Sequence, residues 1–180
     1  MEFQILVSNN RSNNIINLYL QEKLNGEEEF ILDTQFKLKD KVIYIKNNYK
    51  LNIFNGTIGI ISSFSIPDKT ITIDIGDGFV DIDLETAKKE VQLCYSMTIH
   101  KSQGQEFKSV LLLINDFMLS SRELLFTGAT RAKEYLKVVT NSMLLQTSIS
   151  KSNQLGSKGF RNTRLRNFLI ELDKEEKDII

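Results

Sequence analysis

Residues 97–107 read MTIHKSQGQEF and place a hydroxyl, the single imidazole of the sequence, an ammonium, an amide, a glycine and a carboxylate directly after a predicted strand. Thr98 is a suitable residue to cap a helix, whose exposed amides would attract phosphate, and Gly104 lets the backbone approach a ligand closely. The stretch therefore predicts an anion site. Taken alone, it is also compatible with a capped surface turn in which His100 is an ordinary hydrogen-bonded residue.

A second polar stretch, residues 126–133 (FTGATRAK), sets Arg131 beside small residues just before a predicted strand at 136–140. Small neighbours leave room for the guanidinium to reach outward from a packed helix. A planar, permanently charged guanidinium suits the charge that spreads over a phosphoryl group during its transfer. The alternative is a salt bridge of Arg131 on the helix surface.

Around these two stretches, the hydrophobic pattern predicts α/β ends and an all-β middle. A strand at 3–7 precedes a helix at 11–24, and continuous apolar runs at 110–114 and 136–140 are typical of strands covered on both faces. The middle alternates, with predicted antiparallel strands at 41–45, 56–63, 70–75 and 79–84. We therefore expect a parallel-sheet domain formed by residues 1–36 and 92–180, interrupted by a small barrel at 37–91.

The composition excludes several classes of protein. Lys plus Arg and Asp plus Glu both number 23, so a nucleic-acid surface has to be a local patch. One cysteine and one histidine exclude a disulfide framework and the common zinc patterns, and no apolar run is long enough to span a bilayer. We expect a cytoplasmic protein without a metal site. The sequence also predicts a loop at 148–159, and a basic stretch at 151–166 that is either solvated surface or a phosphate-facing patch.

Taken together, the two polar stretches resemble motifs V (98–107) and VI (124–133) of RecD-like superfamily 1 DNA helicases. Further segments resemble other parts of the same proteins. The opening 6–11 and 17–25 is similar to the motif IV region, and the segments 39–42, 47–49 and 54–59 are similar to the start of their SH3-like insertion. The resemblance implies a RecA-like domain of the P-loop NTPase type with an inserted SH3-like barrel.

The resemblance also implies roles for individual residues. Arg131 would be the arginine finger on the γ-phosphate of ATP. The other residues implied at the nucleotide are Arg11, Gln103, Gly104 and Glu106, with Glu106 nearest the ribose. Single-stranded DNA would contact Thr98, His100 and Lys101, and in the insertion Asn48, Tyr49 and Asn55, since exposed aromatic rings stack on bases without reading sequence. The three insertion residues are also compatible with a role in turns.

The sequence contains no Gly-x-x-x-x-Gly-Lys-[Ser/Thr] loop and no acidic pair placed to hold magnesium. We therefore expect this chain to be inactive alone. ATP and Mg²⁺ would be held by an N-terminal RecA-like domain of the same protein, and the resemblance implies 5′-to-3′ movement on single-stranded DNA. Other exonuclease V subunits are further partners that it leaves open. The alternatives are a nucleic-acid binding module, or the motor of a conjugative relaxase or mobile-element helicase.

Overall fold

The computed structural model describes residues 2–116 and 121–150, and the statements below concern those residues. Predicted strands and helices are found close to their expected positions. Their order along the chain is β1 (Phe3–Val7), α1 (Asn10–Asn25), β2 (Lys41–Tyr44), β3 (Ile58–Ser65), β4 (Thr70–Asp74), β5 (Phe79–Asp83), α2 (Leu84–Glu90), β6 (Val91–Leu93), β7 (Ser96–Thr98), β8 (Phe107–Leu113), α3 (Arg122–Ala129), β9 (Ala132–Val139) and α4 (Ser142–Ser150).

Four strands form a parallel sheet in the order β7-β1-β8-β9. Ile5 lies opposite Ser96 on one side and Leu111 on the other, and Leu112 lies opposite Val138. Because all four strands run in the same direction, the sheet has an amino edge, where β8 and β9 begin, and a carboxyl edge, where β1 and β7 end. The predicted α/β fold with a parallel sheet is confirmed.

The other five strands form an antiparallel sheet in the order β5-β4-β3-β2-β6, called here the inserted sheet. The expected hairpin between β4 and β5 is present, and its turn uses Gly76 at φ +90° with the Ile75 amide donating to the Gly78 carbonyl at 2.9 Å. Strand β6 pairs with β2 through Leu93, so the expected barrel end at residue 91 falls inside a strand of this sheet.

Helix α1 buries a polar face rather than the apolar positions that indicated it. Ile15 and Leu18 are each 59% exposed, whereas Asn13, Asn17 and Gln21 are buried. The reason is the neighbouring strand β7. It is the outermost strand of the parallel sheet, so its outward-facing backbone groups need hydrogen-bond partners. The Asn17 amide supplies them, because it donates to the Ser96 carbonyl at 3.1 Å and accepts from the Ser96 amide at 2.8 Å.

Further along α1, the fully buried Asp40 joins the helix to the inserted sheet. Its carboxylate accepts hydrogen bonds from Asn25 Nδ2 at 2.9 Å, the Tyr95 hydroxyl at 2.8 Å and the Lys37 amide at 2.7 Å, and also from Gln21. Burial is the main cause that raises the pKa of the Tyr95 phenol, and the hydrogen bond to Asp40 adds to it. Because the charge has several donors, it is tolerated inside the protein.

The two sheets share their apolar interior. Ile43 and Ile58 of the inserted sheet pack in the same cluster as Leu6 and Leu112 of the parallel sheet, and Leu20 of α1 packs against the other cluster. The inserted sheet is therefore packed directly on the parallel sheet. At the end of the described residues, 148–150 form the last turn of α4 and not the start of the predicted loop. The rest of that loop and the basic stretch 151–166 lie outside the described residues.

Candidate functional site

The segment 99–106 leads from the carboxyl edge at the end of β7 to the amino edge at the start of β8. Thr98 does act as a cap, since its hydroxyl accepts from the Lys101 amide at 3.3 Å, but successive turns follow in place of the expected helix. The fully buried Ser102 closes the first of these turns by donating to the Ile99 carbonyl at 2.7 Å. Gly104, at φ +84°, then redirects the chain into β8.

Arg131 lies between the end of α3 and the start of β9, at the amino edge. Its Nε donates to the Thr127 carbonyl and its Nη1 to the Gln105 carbonyl, both at 3.1 Å, while Nη2 donates to the Thr130 hydroxyl at 3.3 Å. A guanidinium has five N–H donors. Two of them therefore have no acceptor among the residues that the structure describes. The group is held in place and still has donors to offer.

The small residues before Arg131 let α3 approach the sheet. A Cβ on Gly128 would lie 2.7 Å from Leu112 Cδ1 and 3.2 Å from Leu112 Cδ2, which is too close without movement of the Leu112 side chain. The expectation that small neighbours leave room for the guanidinium is not tested by this contact, which concerns the packing of α3 on β8. The glycine sets the distance between α3 and β8, and through it the position at which Arg131 leaves the helix.

Three of the residues expected at the nucleotide meet at the amino edge: Gly104, Glu106 and Arg131. The Phe107 amide donates to the Arg131 carbonyl at 2.8 Å, which ties the start of β8 to the start of β9. Glu106 forms an ion pair with Lys133 at 3.0 Å, and because both side chains are 60% exposed the pair adds little stability. Its carboxylate therefore stays accessible to another partner. Gln103 is exposed in the preceding turn.

Arg11 is placed at the opposite edge of the sheet. It lies in the first turn of α1, just after the carboxyl end of β1, where the Asn9 side chain caps the helix by accepting from the Ser12 amide at 2.8 Å. Val7 is level with Val139 at the end of β9, about eight residues or roughly 25 Å along the strand from Arg131. Within this chain, the structure does not bring Arg11 and Arg131 together.

The residues expected to face DNA in motif V differ in exposure. Thr98 is only 6% exposed, and its hydroxyl serves the turn. His100 and Lys101 are both exposed beside it, and Lys101 Nζ donates to Gln92 Oε1 at 3.0 Å. His100 and Lys101 therefore present a donor and a cation to solvent next to the carboxyl edge, whereas Thr98 contributes chiefly by shaping the turn.

The tip loop of the inserted sheet, residues 46–57 between β2 and β3, carries the other DNA candidates. Asn48 is a turn residue, because its Oδ1 accepts from the Leu51 amide at 3.3 Å, and the Asn55 amide donates to Asn47. Tyr49 is 78% exposed and lies edge-on against Phe54, with ring centroids 6.3 Å apart at 78°. Phe54, which the motif resemblance does not single out, is 49% exposed beside Tyr49.

The cysteine offers no nucleophile. Burial raises the pKa of the Cys94 thiol to about 12, while the charges of Lys41 and Lys101 oppose that shift. The thiolate that reacts is therefore scarce near neutral pH. Among residues 2–116 and 121–150, no group of three or more His, Cys, Asp or Glu side chains is arranged to hold a metal ion, and no helix is long and apolar enough to cross a membrane.

The fold and the amino edge define a RecA-like domain that carries an inserted antiparallel sheet and offers an arginine at its rim. Two family models match the chain: the SH3 domain of ATP-dependent RecD-like DNA helicases over residues 13–75, and the UvrD-like helicase C-terminal domain over residues 93–139. The chain is homologous to the C-terminal part of RecD-like superfamily 1 helicases. The predicted resemblance is thereby confirmed.

Individual relatives agree with these matches. The chain is 33% identical over 124 residues to the ATP-dependent RecD2 DNA helicase of Deinococcus radiodurans, covering 66% of this chain and 17% of that protein. It is 28% identical over 149 residues to the RecBCD enzyme subunit RecD of Buchnera aphidicola, covering 77% of this chain and 24% of that protein. The chain thus spans about a quarter or less of the length of these curated relatives.

Solved structures share the fold. The Pif1 helicase from Bacteroides in complex with ADP-AlF3 and ssDNA superimposes with a TM-score of 0.61 at 17% identity, over 97% of this chain and 46% of that one. The Pif1 helicase from Candida albicans gives a TM-score of 0.60 at 15% identity, over 100% of this chain and 50% of that one. The expected RecA-like architecture is confirmed by these neighbours.

Proposed function

We propose that this chain is the second motor domain of an ATP-dependent DNA helicase that translocates on single-stranded DNA, in the 5′-to-3′ direction that the RecD resemblance implies. The chain supplies the arginine finger and part of the DNA track. ATP and Mg²⁺ are bound chiefly by an N-terminal RecA-like domain of the same protein, which is its first partner. Other exonuclease V subunits are candidate further partners, since the relative from Buchnera aphidicola is named as a subunit of the RecBCD enzyme.

The observation that carries the proposal is the state of Arg131. Three hydrogen bonds fix its guanidinium at the amino edge, and two N–H donors that have no acceptor among the described residues are offered to an anion. Bound ATP supplies the phosphoryl group when the two motor domains close. Arg131 then meets the charge that develops on that group, and being already in place it needs little reorganisation. Gly104 and Glu106 complete the rim on the side of β8.

The residues on the DNA side suit a ligand that is bound without sequence preference. His100 and Lys101 offer a donor and a cation to phosphate, and the Tyr49–Phe54 pair offers exposed ring faces to bases. Such a surface binds any single strand and releases it readily, as translocation requires. This pair also favours a second candidate function, a nucleic-acid binding module in which the parallel sheet is only a scaffold.

The 180-residue chain itself provides the test. It should show no ATP turnover, with or without single-stranded DNA, because it contains no phosphate-binding loop. It should bind single-stranded DNA weakly and with steep salt dependence, as measured by fluorescence anisotropy between 50 and 200 mM salt. Turnover above background that Arg131→Ala abolishes would contradict the division into two motor halves.

The same titration separates the two candidate functions. Tight binding that survives 200 mM salt or depends on base sequence would favour the binding module. The whole chain should be used for this test, because α1 contacts the inserted part of the chain in two ways. Leu20 packs against the core of the inserted sheet, and Asn25 donates a hydrogen bond to the buried Asp40. Cutting out residues 37–91 would remove both contacts.

A further inference from the structure

Gln105 contacts both candidate regions at once. Its backbone carbonyl accepts from Arg131 Nη1 at 3.1 Å, and its side-chain Nε2 donates to the Gly56 carbonyl in the tip loop at 2.9 Å. Gly56 directly follows Asn55 and lies two residues after Phe54. A single residue therefore links the arginine of the nucleotide side to the loop that carries the exposed aromatic pair.

The link is geometrically restricted at its far end. Gly56 has φ +95°, a conformation that favours glycine, and a Cβ there would lie 2.8 Å from Gln105 Nε2 and would displace that amide. The Gly56 amide in turn donates to the Tyr44 carbonyl at 2.8 Å, which holds the loop to β2. The orientation of the Gln105 amide is fixed as well, because reversing it would set two oxygens against each other.

This arrangement does not favour stability. Gln105 Oε1 is buried and has no hydrogen-bond partner among the described residues. A buried acceptor left unpaired costs as much as or more than a typical hydrogen bond contributes, so the unpaired Oε1 offsets the bond that Nε2 makes to Gly56. A stabilising role therefore does not explain why an amide is present here. Its distinctive property is the directional contact with Gly56.

Building on the function proposed above, we infer that Gln105 is a positioning residue that couples the tip loop to Arg131. When single-stranded DNA engages the tip loop, the Gly56 carbonyl and the Gln105 amide move together, and the Gln105 backbone carries the acceptor that aligns Arg131 Nη1. DNA at the inserted sheet thereby alters ATP turnover through one hydrogen-bonded residue. The inserted sheet is then part of the coupling between DNA and ATP, not only a surface for DNA.

The experiment uses the full-length protein that contains this chain. Gln105→Met keeps the length of the side chain and removes the bond to Gly56, and Gln35→Met makes the same chemical change at an exposed position that belongs to neither region. We expect the stimulation of Gln105→Met turnover by single-stranded DNA, taken as the ratio of the rates with and without DNA, to be about tenfold lower than that of the parent. The thermal transition should be unchanged, and Gln35→Met should behave as the parent.

A double-mutant cycle with Gly56→Ala sharpens the result. Both substitutions break the same bond, so the double variant should lose no more DNA stimulation than the more affected single variant. Additive losses would contradict the link. A Gln105→Met protein with full DNA stimulation, or one whose two rates and thermal transition fall together, would also overturn the inference.

Failure of this inference is distinguishable from failure of the proposed function. If Arg131→Ala stops turnover while Gln105→Met responds normally to DNA, the arginine-finger role stands and the coupling role of Gln105 is wrong. If Arg131→Ala leaves turnover intact, the proposed function fails, and with it the coupling that rests on it.

Discussion

The amino edge and the tip loop present their functional groups in opposite ways. Arg131 at the amino edge is held by three hydrogen bonds, two of them to backbone carbonyls. Tyr49 in the tip loop is 78% exposed, and its ring lies nearly perpendicular to the ring of Phe54. A preorganised charge suits a transition state of fixed geometry, whereas an adaptable ring suits a succession of different bases. The contrast agrees with the ligands proposed for the two regions.

The largest expected effect comes from Arg131→Ala in the full-length protein. Because the finger meets its phosphate mainly in the transition state, turnover should fall by about 10³-fold, while nucleotide and DNA binding change little. Single-turnover ATP hydrolysis and equilibrium titrations with a fluorescent nucleotide measure the two quantities separately. Arg131→Lys is the matched control for charge, since an ammonium cannot reproduce the planar set of donors.

The comparison breaks if Arg131→Lys has full turnover, because a positive charge alone would then be sufficient and the hydrogen-bonded, planar guanidinium would not be needed. It also breaks if Arg131→Ala loses nucleotide affinity as strongly as turnover. That pattern would describe a ground-state contact, and a preorganised transition-state group would not be needed.

A smaller effect is expected at the tip loop. Stacking contributes about 1–3 kcal/mol per base, so Tyr49→Ala and Phe54→Ala should each weaken single-strand binding by roughly tenfold and leave DNA-independent turnover unchanged. Tyr49→Phe keeps the ring and should bind like the parent. Anisotropy titrations with homopolymeric strands measure this. If Tyr49→Phe were as weak as Tyr49→Ala, the hydroxyl and not the ring face would contact the strand.

Sequence patterns predicted the amino edge better than the surface of α1. The resemblance of 98–107 and 124–133 to motifs V and VI implied one site for Gly104, Glu106 and Arg131, and the structure places all three at the amino edge; their role at a nucleotide stays a prediction. Helix α1 buries Asn17 and exposes Leu18 because the partner of Asn17 is the backbone of Ser96 in strand β7, 79 residues away in sequence. Such a distant partner leaves no periodic signal in the helix itself. Polar residues at helical spacing therefore deserve the same consideration as apolar ones.

The remaining differences have the same origin in non-local contacts. The segment after Thr98 forms turns because Ser102 bonds back to Ile99 and Gly104 adopts φ +84°, so the chain reaches β8 without a helix. The link from Gln105 to Gly56 joins residues 49 apart in sequence. Motif resemblance names residues by their neighbours in the chain, and it cannot show which loop of the insertion lies against them.

The smallest expected effect is at His100, where the exposed imidazole offers one contact to the DNA backbone. A single neutral hydrogen bond contributes about 1 kcal/mol, so His100→Ala should weaken single-strand binding by about fivefold and lower DNA stimulation, leaving the DNA-independent rate intact. Lys101→Ala is the matched comparison, because removing a cation should also reduce the salt slope of binding by about 1, whereas an uncharged imidazole displaces no counterion. Titrations at several salt concentrations separate the two residues. Equal changes of the salt slope would show that His100 contacts phosphate as a cation. A His100→Ala protein whose ATP turnover falls as far as that of Arg131→Ala would contradict the separate assignment of the two residues to DNA and ATP.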